Sequence, residues 1–159
     1  MLVRPLPNHQ ATDKVAEKIF NEIVFPVGNF VLYLEGGLGV GKTYLVKKLL
    51  ELFGVSESIC SPTYGFVNQY EVSPQKSPLF VNDYPKQFAH FDFYRLEEPD
   101  DFFARGFQDI AGDDAVSCFV EWPDKMGEEA RKCFTGKEFV IRLEHGIGVG
   151  MRKITVLER

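Results

Sequence analysis

The octapeptide Gly36-Gly37-Leu38-Gly39-Val40-Gly41-Lys42-Thr43 constrains this chain more than any other stretch. It satisfies G-x-x-x-x-G-K-[ST] at every fixed position. Before it, Phe30-Val31-Leu32-Tyr33-Leu34 is an apolar run ending at Glu35, the composition of a buried parallel strand. After it, residues 44–53 carry apolar side chains at 45, 49 and 52 and at 46, 50 and 53, the spacing of an amphipathic helix. Strand, glycine loop and helix in that order predict a phosphate-binding loop.

Each residue type in the loop has a mechanical reason. Glycine lets successive main-chain N–H groups turn inward and approach phosphate oxygens without a Cβ in the way. Gly37, Leu38, Gly39, Val40 and Gly41 would therefore offer backbone donors, and the following helix aims its positive end at the same place. In this motif Lys42 reaches the β- and γ-phosphates, and the Thr43 hydroxyl ligates Mg²⁺. A nucleoside triphosphate is the expected ligand.

At 159 residues the chain predicts one domain over 1–159, with a proper core and no room for a second catalytic unit. The net charge is −5 and the Lys and Arg residues are scattered, so no basic stripe suggests direct nucleic-acid binding. Cys60, Cys118 and Cys133 are odd in number and form no C-x-x-C pair, which suits free thiols in a reducing compartment. There is no apolar targeting stretch and no run near the roughly 20 residues that span a bilayer. The expectation is a soluble, cytoplasmic protein without membrane contact.

Ahead of the loop, residues 8–25 read as a helix capped by Asn8, with Val15, Ile19 and Ile23 on one face. Residues 63–70 have strand composition, and 73–87 are broken by Pro74, Pro78 and Pro85 into a loop or loose hairpin. Residues 88–94 read as a strand with His90, Asp92 and Tyr94 on one face. Residues 97–101 look like a helix start whose acids compensate the dipole in solvent. Residues 115–120 form a second buried-strand run, and 138–143 with 153–157 suggest a closing hairpin. Together these elements predict an α/β chain: a three-layer P-loop NTPase fold with a mostly parallel central sheet and a C-terminal hairpin.

Hydrolysis needs acids beside the metal and the terminal phosphate, and in open α/β sheets ligands sit beyond the carboxyl ends of the strands. Glu121 closes an apolar strand at that end, and Asp92 lies on the polar face of its own strand. One would hold the metal shell and the other would orient or deprotonate the attacking water; the sequence leaves open which. Ser61-Pro62-Thr63 stands one connection after the loop's helix, where nucleotide switches place a Thr that senses the γ-phosphate.

These motifs carry a resemblance. The glycine loop, then Ser61-Pro62-Thr63-Tyr64, then His90-Phe91-Asp92-Phe93-Tyr94-Arg95, then Glu121-Trp122, in that order, is similar to the TsaE (YjeE) family. Its members are small bacterial ATPases needed for the threonylcarbamoyl modification of adenosine 37 in tRNA. The resemblance covers nearly the whole chain. It implies ATP and Mg²⁺ as cofactors, with hydrolysis that is weak alone and stimulated by a TsaD–TsaB-type heterodimer, which the family resets between cycles. By the same resemblance, Lys42 and Thr43 take the phosphate and metal roles and Thr63 the switch position. Asp92 is the motif acid, Glu121 the metal-proximal acid and Trp122 the aromatic beside the nucleotide. Two departures stand out: residues 73–87 are longer than usual, and Val40 replaces the common Ala.

No Asn-Lys-x-Asp sequence for guanine occurs, so the base would be held by less diagnostic groups. The candidates are His9, Gln10 and Thr12 at the entry to the first helix and the loop 144–151. His90 reads as a hydrogen-bonded structural group more than a proton shuttle, and Arg95 as an ion-pair or docking residue more than an internal charge-stabilising arginine. Two other functions fit the glycine loop. A small-molecule kinase would need a basic lid, and the seven Arg are unclustered; a binding module without turnover would use nucleotide only to change shape.

Overall fold

The computed structural model describes residues 2–6, 8–72, 87–146 and 151–158. In chain order its elements are β1 (Leu2–Leu6), α1 (His9–Ile19), β2 (Phe30–Glu35), α2 (Lys42–Phe53), β3 (Val67–Glu71) and β4 (Gln87–Asp92). There follow α3 (Asp101–Ala104), α4 (Phe107–Ala111), β5 (Val116–Glu121), α5 (Gly127–Arg131), β6 (Lys137–His145) and β7 (Arg152–Glu158).

The strands form one seven-stranded sheet in the order β1-β7-β6-β2-β5-β4-β3. β6, β2, β5 and β4 are parallel neighbours, and antiparallel strands close both sides. β1 runs with the central four, so five of the seven strands point one way. Side-chain alternation along β2 splits the core in two. Phe30, Leu32 and Leu34 pack with Ile19 of α1 and with Leu45 and Leu49 of α2. Val31 and Tyr33 pack on the other face with Phe102, Phe107 and Ala130 from the short helices. This is the three-layer α/β arrangement with its C-terminal β6–β7 hairpin.

Phenylalanine fills both layers. Phe53 meets Phe88 at 4.6 Å between ring centroids and Phe20 at 4.8 Å. On the opposite face Phe91 meets Phe134 at 5.5 Å and Phe93 meets Phe102 at 5.8 Å. Burying one such side chain is worth about 1.5–3 kcal/mol, and each well-placed ring pair about 0.5–1.5 kcal/mol more. These clusters hold the helices against the sheet and so fix the strand ends that build the site.

Several boundaries differ from the sequence reading; β4 ends at Asp92, and Phe93 and Tyr94 leave the sheet. The first helix is α-helical only to Ile19; a π turn over Phe20–Val24 and a 3-10 turn over Phe25–Val27 follow, and Gly28 reverses the chain at φ 74°. Asn8 caps it as expected, its side-chain oxygen accepting from Ala11 N at 2.9 Å. β3 is shorter than 63–70, because residues 63–65 are drawn into a turn in which Phe66 N donates to Pro62 O at 2.6 Å. Residues 97–100 precede α3 as exposed turns, the Asp101 carboxylate accepting from Glu98 N at 3.4 Å. β1 was not visible as a strand because Pro5 interrupts it, a residue tolerated at a sheet edge. Of the loop expected at 73–87, residues 73–86 lie outside the described residues. All three cysteines are free, and burial pushes the Cys118 thiol up to about 12. Among the described residues no helix is long and apolar enough to cross a membrane.

Candidate functional site

The glycine loop turns tightly off β2 against β6. Gly36 has φ +142°, and a Cβ there would stand 2.3 Å from the Leu143 carbonyl oxygen, so no larger residue fits this passage. Gly41, at φ +103°, caps α2 without any side-chain hydrogen bond. The first-turn N–H groups of a twelve-residue helix are thus left facing the loop. Val40 turns its side chain fully into the core, leaving only its main chain for the loop's concave side.

Lys42 is 4 % exposed. Its Nζ donates to Gly36 O at 2.8 Å and to Gly37 O at 2.9 Å, and it lies 4.0 Å from the centre of the Trp122 ring. Burial lowers its pKa below the ordinary lysine value, while Glu121, then Asp92 and Asp124, pull it back up. The ammonium therefore sits among carboxylates at the mouth of the loop.

The two acids come together through sheet order. β5 lies between β2 and β4, and the register places Asp92 directly beside Glu121 at the carboxyl ends of neighbouring parallel strands. Asp92 Oδ2 accepts from Ser61 Oγ and from Thr63 Oγ1, each at 2.7 Å, while its Oδ1 accepts from Tyr94 N at 3.1 Å. Asp92 thus ties the Ser-Pro-Thr turn to the end of β4. Glu121 Oε1 pairs with His90 Nε2 at 2.9 Å in a buried contact. Glu35 also ends a strand but turns away, its Oε2 accepting from Arg142 Nη2 at 2.8 Å.

Lys42, Thr43, Thr63, Asp92, Glu121 and Trp122 line one cleft of about 330 Å³, with Leu38, Gly39 and Gly41 along its rim. That volume is at the lower end of the range for small-molecule sites. Trp122 adopts a left-handed conformation at φ 58°, which swings its ring back over the cleft, 5.1 Å from the Tyr94 ring. Thr43 and Glu121 supply oxygen donors here, the hard ligand type that suits Mg²⁺.

Thr12, Gln10 and Arg95 do not line the cleft. Thr12 is 1 % exposed and its hydroxyl donates to Asn8 O at 3.3 Å, so it does not line the cleft. The side chain of His9 and residues 147–150 lie outside the described residues, and Gln10 faces solvent. Arg95 stacks its guanidinium 4.4 Å from the exposed Tyr64 ring, away from the cleft lining. Sequence reasoning passed over Tyr94 and Ser61 as site residues. Tyr94 lies in the turn just past β4, where its N–H donates to Asp92 Oδ1, a local contact of the kind an Asp two residues earlier favours. Arg152, whose Nη1 approaches Val40 O at 3.5 Å, had no sequence signal, since only the packing of the C-terminal hairpin brings it to the loop.

A strand running into a glycine loop and helix, with two strand-end acids beside the loop's lysine, defines a P-loop NTPase-type protein, a class that binds nucleotides at this position. A family model described as threonylcarbamoyl adenosine biosynthesis protein TsaE matches residues 6–152, and the chain belongs to the TsaE family. The Haemophilus influenzae tRNA threonylcarbamoyladenosine biosynthesis protein TsaE is 34 % identical over 95 residues, covering 60 % of this chain and 52 % of that protein. The Synechocystis protein of the same name is 33 % identical over 124 residues, covering 76 % and 69 %. The match thus spans about half the length of the first relative and about two-thirds of the second. The crystal structure of Bacillus subtilis YdiB shares the fold, with a TM-score of 0.64 at 23 % identity over 99 % of this chain and 84 % of that one.

Proposed function

We propose that this chain, as one domain over 1–159, is the Mg²⁺-dependent ATP-binding and ATP-hydrolysing accessory subunit of the synthase that makes N6-threonylcarbamoyladenosine at position 37 of tRNA. Its partner is a TsaD–TsaB-type heterodimer, which it drives or resets between catalytic cycles. The reading rests above all on the register that sets Asp92 beside Glu121, next to the Lys42 ammonium.

The residues divide the work as follows. Main-chain N–H groups from Gly37 to Lys42 and the start of α2 bind the phosphate chain. Lys42 exchanges the Gly36 and Gly37 carbonyls for phosphate oxygens, leaving the Trp122 face. Thr43 and Glu121 hold Mg²⁺, which neutralises charge developing on the phosphates when bound. Asp92 anchors Ser61 and Thr63, so the position of the Ser-Pro-Thr turn depends on what occupies the cleft. The net charge is −5 with Lys and Arg scattered along the chain, and direct tRNA contact is not part of the reading.

Two measurements follow. Trp122 is the single Trp, so its fluorescence will change when saturating ATP or ADP draws Lys42 from its ring; an unchanged spectrum would place the nucleotide elsewhere. Phosphate release from ATP, slow with this chain alone, will rise on adding TsaD and TsaB. Release only with a small-molecule acceptor would mark a kinase instead, and binding without any release would mark a non-hydrolysing module.

A further inference from the structure

His90 is fully buried in the middle of β4, on the same face as Asp92 and two residues before it. It does not reach the cleft, so it cannot exchange a proton with bound water or substrate there. Among the described residues, the one hydrogen bond of its side chain runs diagonally across the sheet to Glu121 Oε1 at 2.9 Å, between side chains that are 0 % and 3 % exposed. Its Nδ1 is buried with no partner among the described residues.

We propose that His90 is a positioning residue that clamps one oxygen of Glu121, so that the carboxylate presents its other oxygen to the metal. The inference rests on the function proposed above. A carboxylate this buried must be hydrogen-bonded, and among the described residues His90 is its only hydrogen-bond partner. An ionised carboxylate only accepts, so the proton sits on Nε2 and Nδ1 carries the bare lone pair. The opposite tautomer would place an N–H on Nδ1, where it would be buried without an acceptor among the described residues. Glu121 is the last residue of its strand and is followed by a left-handed Trp122, so the chain turns away at once. With one oxygen fixed from β4, the carboxylate plane is set by the sheet and not by the loop beyond it. Outer hydrogen bonds of this kind orient metal ligands, and their loss typically costs about 10- to 100-fold in metal affinity.

The test compares wild type with His90→Leu, which removes the donor, and His90→Gln, whose side-chain amide nitrogen can reach the same oxygen. ADP affinity is measured by calorimetry with and without Mg²⁺, after melting curves confirm folding. His90→Leu is expected to lose about 10- to 100-fold of the Mg²⁺-dependent gain while binding metal-free ADP as wild type does. His90→Gln is expected to restore most of that gain. Long-range proton–nitrogen NMR of the nucleotide-free protein is expected to show His90 as the Nε2–H tautomer, assigned by its loss in His90→Gln. An unchanged Mg²⁺ gain in His90→Leu, an equal loss in folded His90→Gln, or the Nδ1–H tautomer would each overturn the proposal. A wild-type protein that binds no ADP would instead overturn the nucleotide reading, and this inference with it.

Discussion

Replacing Lys42 with alanine will weaken nucleotide binding by about 10- to 100-fold, because one charge-assisted hydrogen bond to phosphate is worth about 1.5–3 kcal/mol. The side chain is buried, and it donates to two loop carbonyls. Its ammonium is therefore held within the loop and needs only a short movement to meet a phosphate. The same substitution removes the ammonium that interacts with Glu121 and Asp92. Binding of ADP to Lys42→Ala, followed by calorimetry, decides the matter; wild-type affinity would remove Lys42 from the site.

The second large effect falls on turnover. Glu121→Ala and Asp92→Ala will each slow single-turnover ATP hydrolysis by about 100- to 1,000-fold, the loss typical for a group that acts on transition-state charge or on the attacking water. Nucleotide affinity will fall far less, since the main-chain donors and Lys42 remain. The two variants fail for different reasons. Glu121→Ala takes an oxygen from the metal shell, whereas Asp92→Ala frees Ser61 and Thr63 from the end of β4. Wild-type rates in both would exclude them from the mechanism.

Much of this arrangement is legible in the residues. The glycine loop declares itself because strand, turn and helix signals agree over a dozen positions, and the apolar run ending at Glu121 marks a strand end. The pairing of Asp92 with Glu121 is not legible, since it needs β5 to lie between β2 and β4, and strand order is a property of the whole sheet. For the same reason the His90–Glu121 contact escapes a reading of either strand alone. Pro5 conceals β1, and the turn at 63–65 looks like strand because Thr and Tyr are strand formers. Only the hydroxyl contacts to Asp92 show why that stretch curls instead. Thr12 stands at the entry to the first helix, and its buried hydroxyl serves that helix and not the cleft.

The central claim is that the cleft between the glycine loop and the ends of β4 and β5 takes a magnesium-bound triphosphate. Calorimetric titration of Mg²⁺-ATP into the protein tests it most directly. A saturable isotherm with one site per chain, abolished or strongly weakened in Lys42→Ala, is the predicted result. No binding heat at any temperature tested, together with an unshifted melting curve at saturating Mg²⁺-ATP, would contradict it.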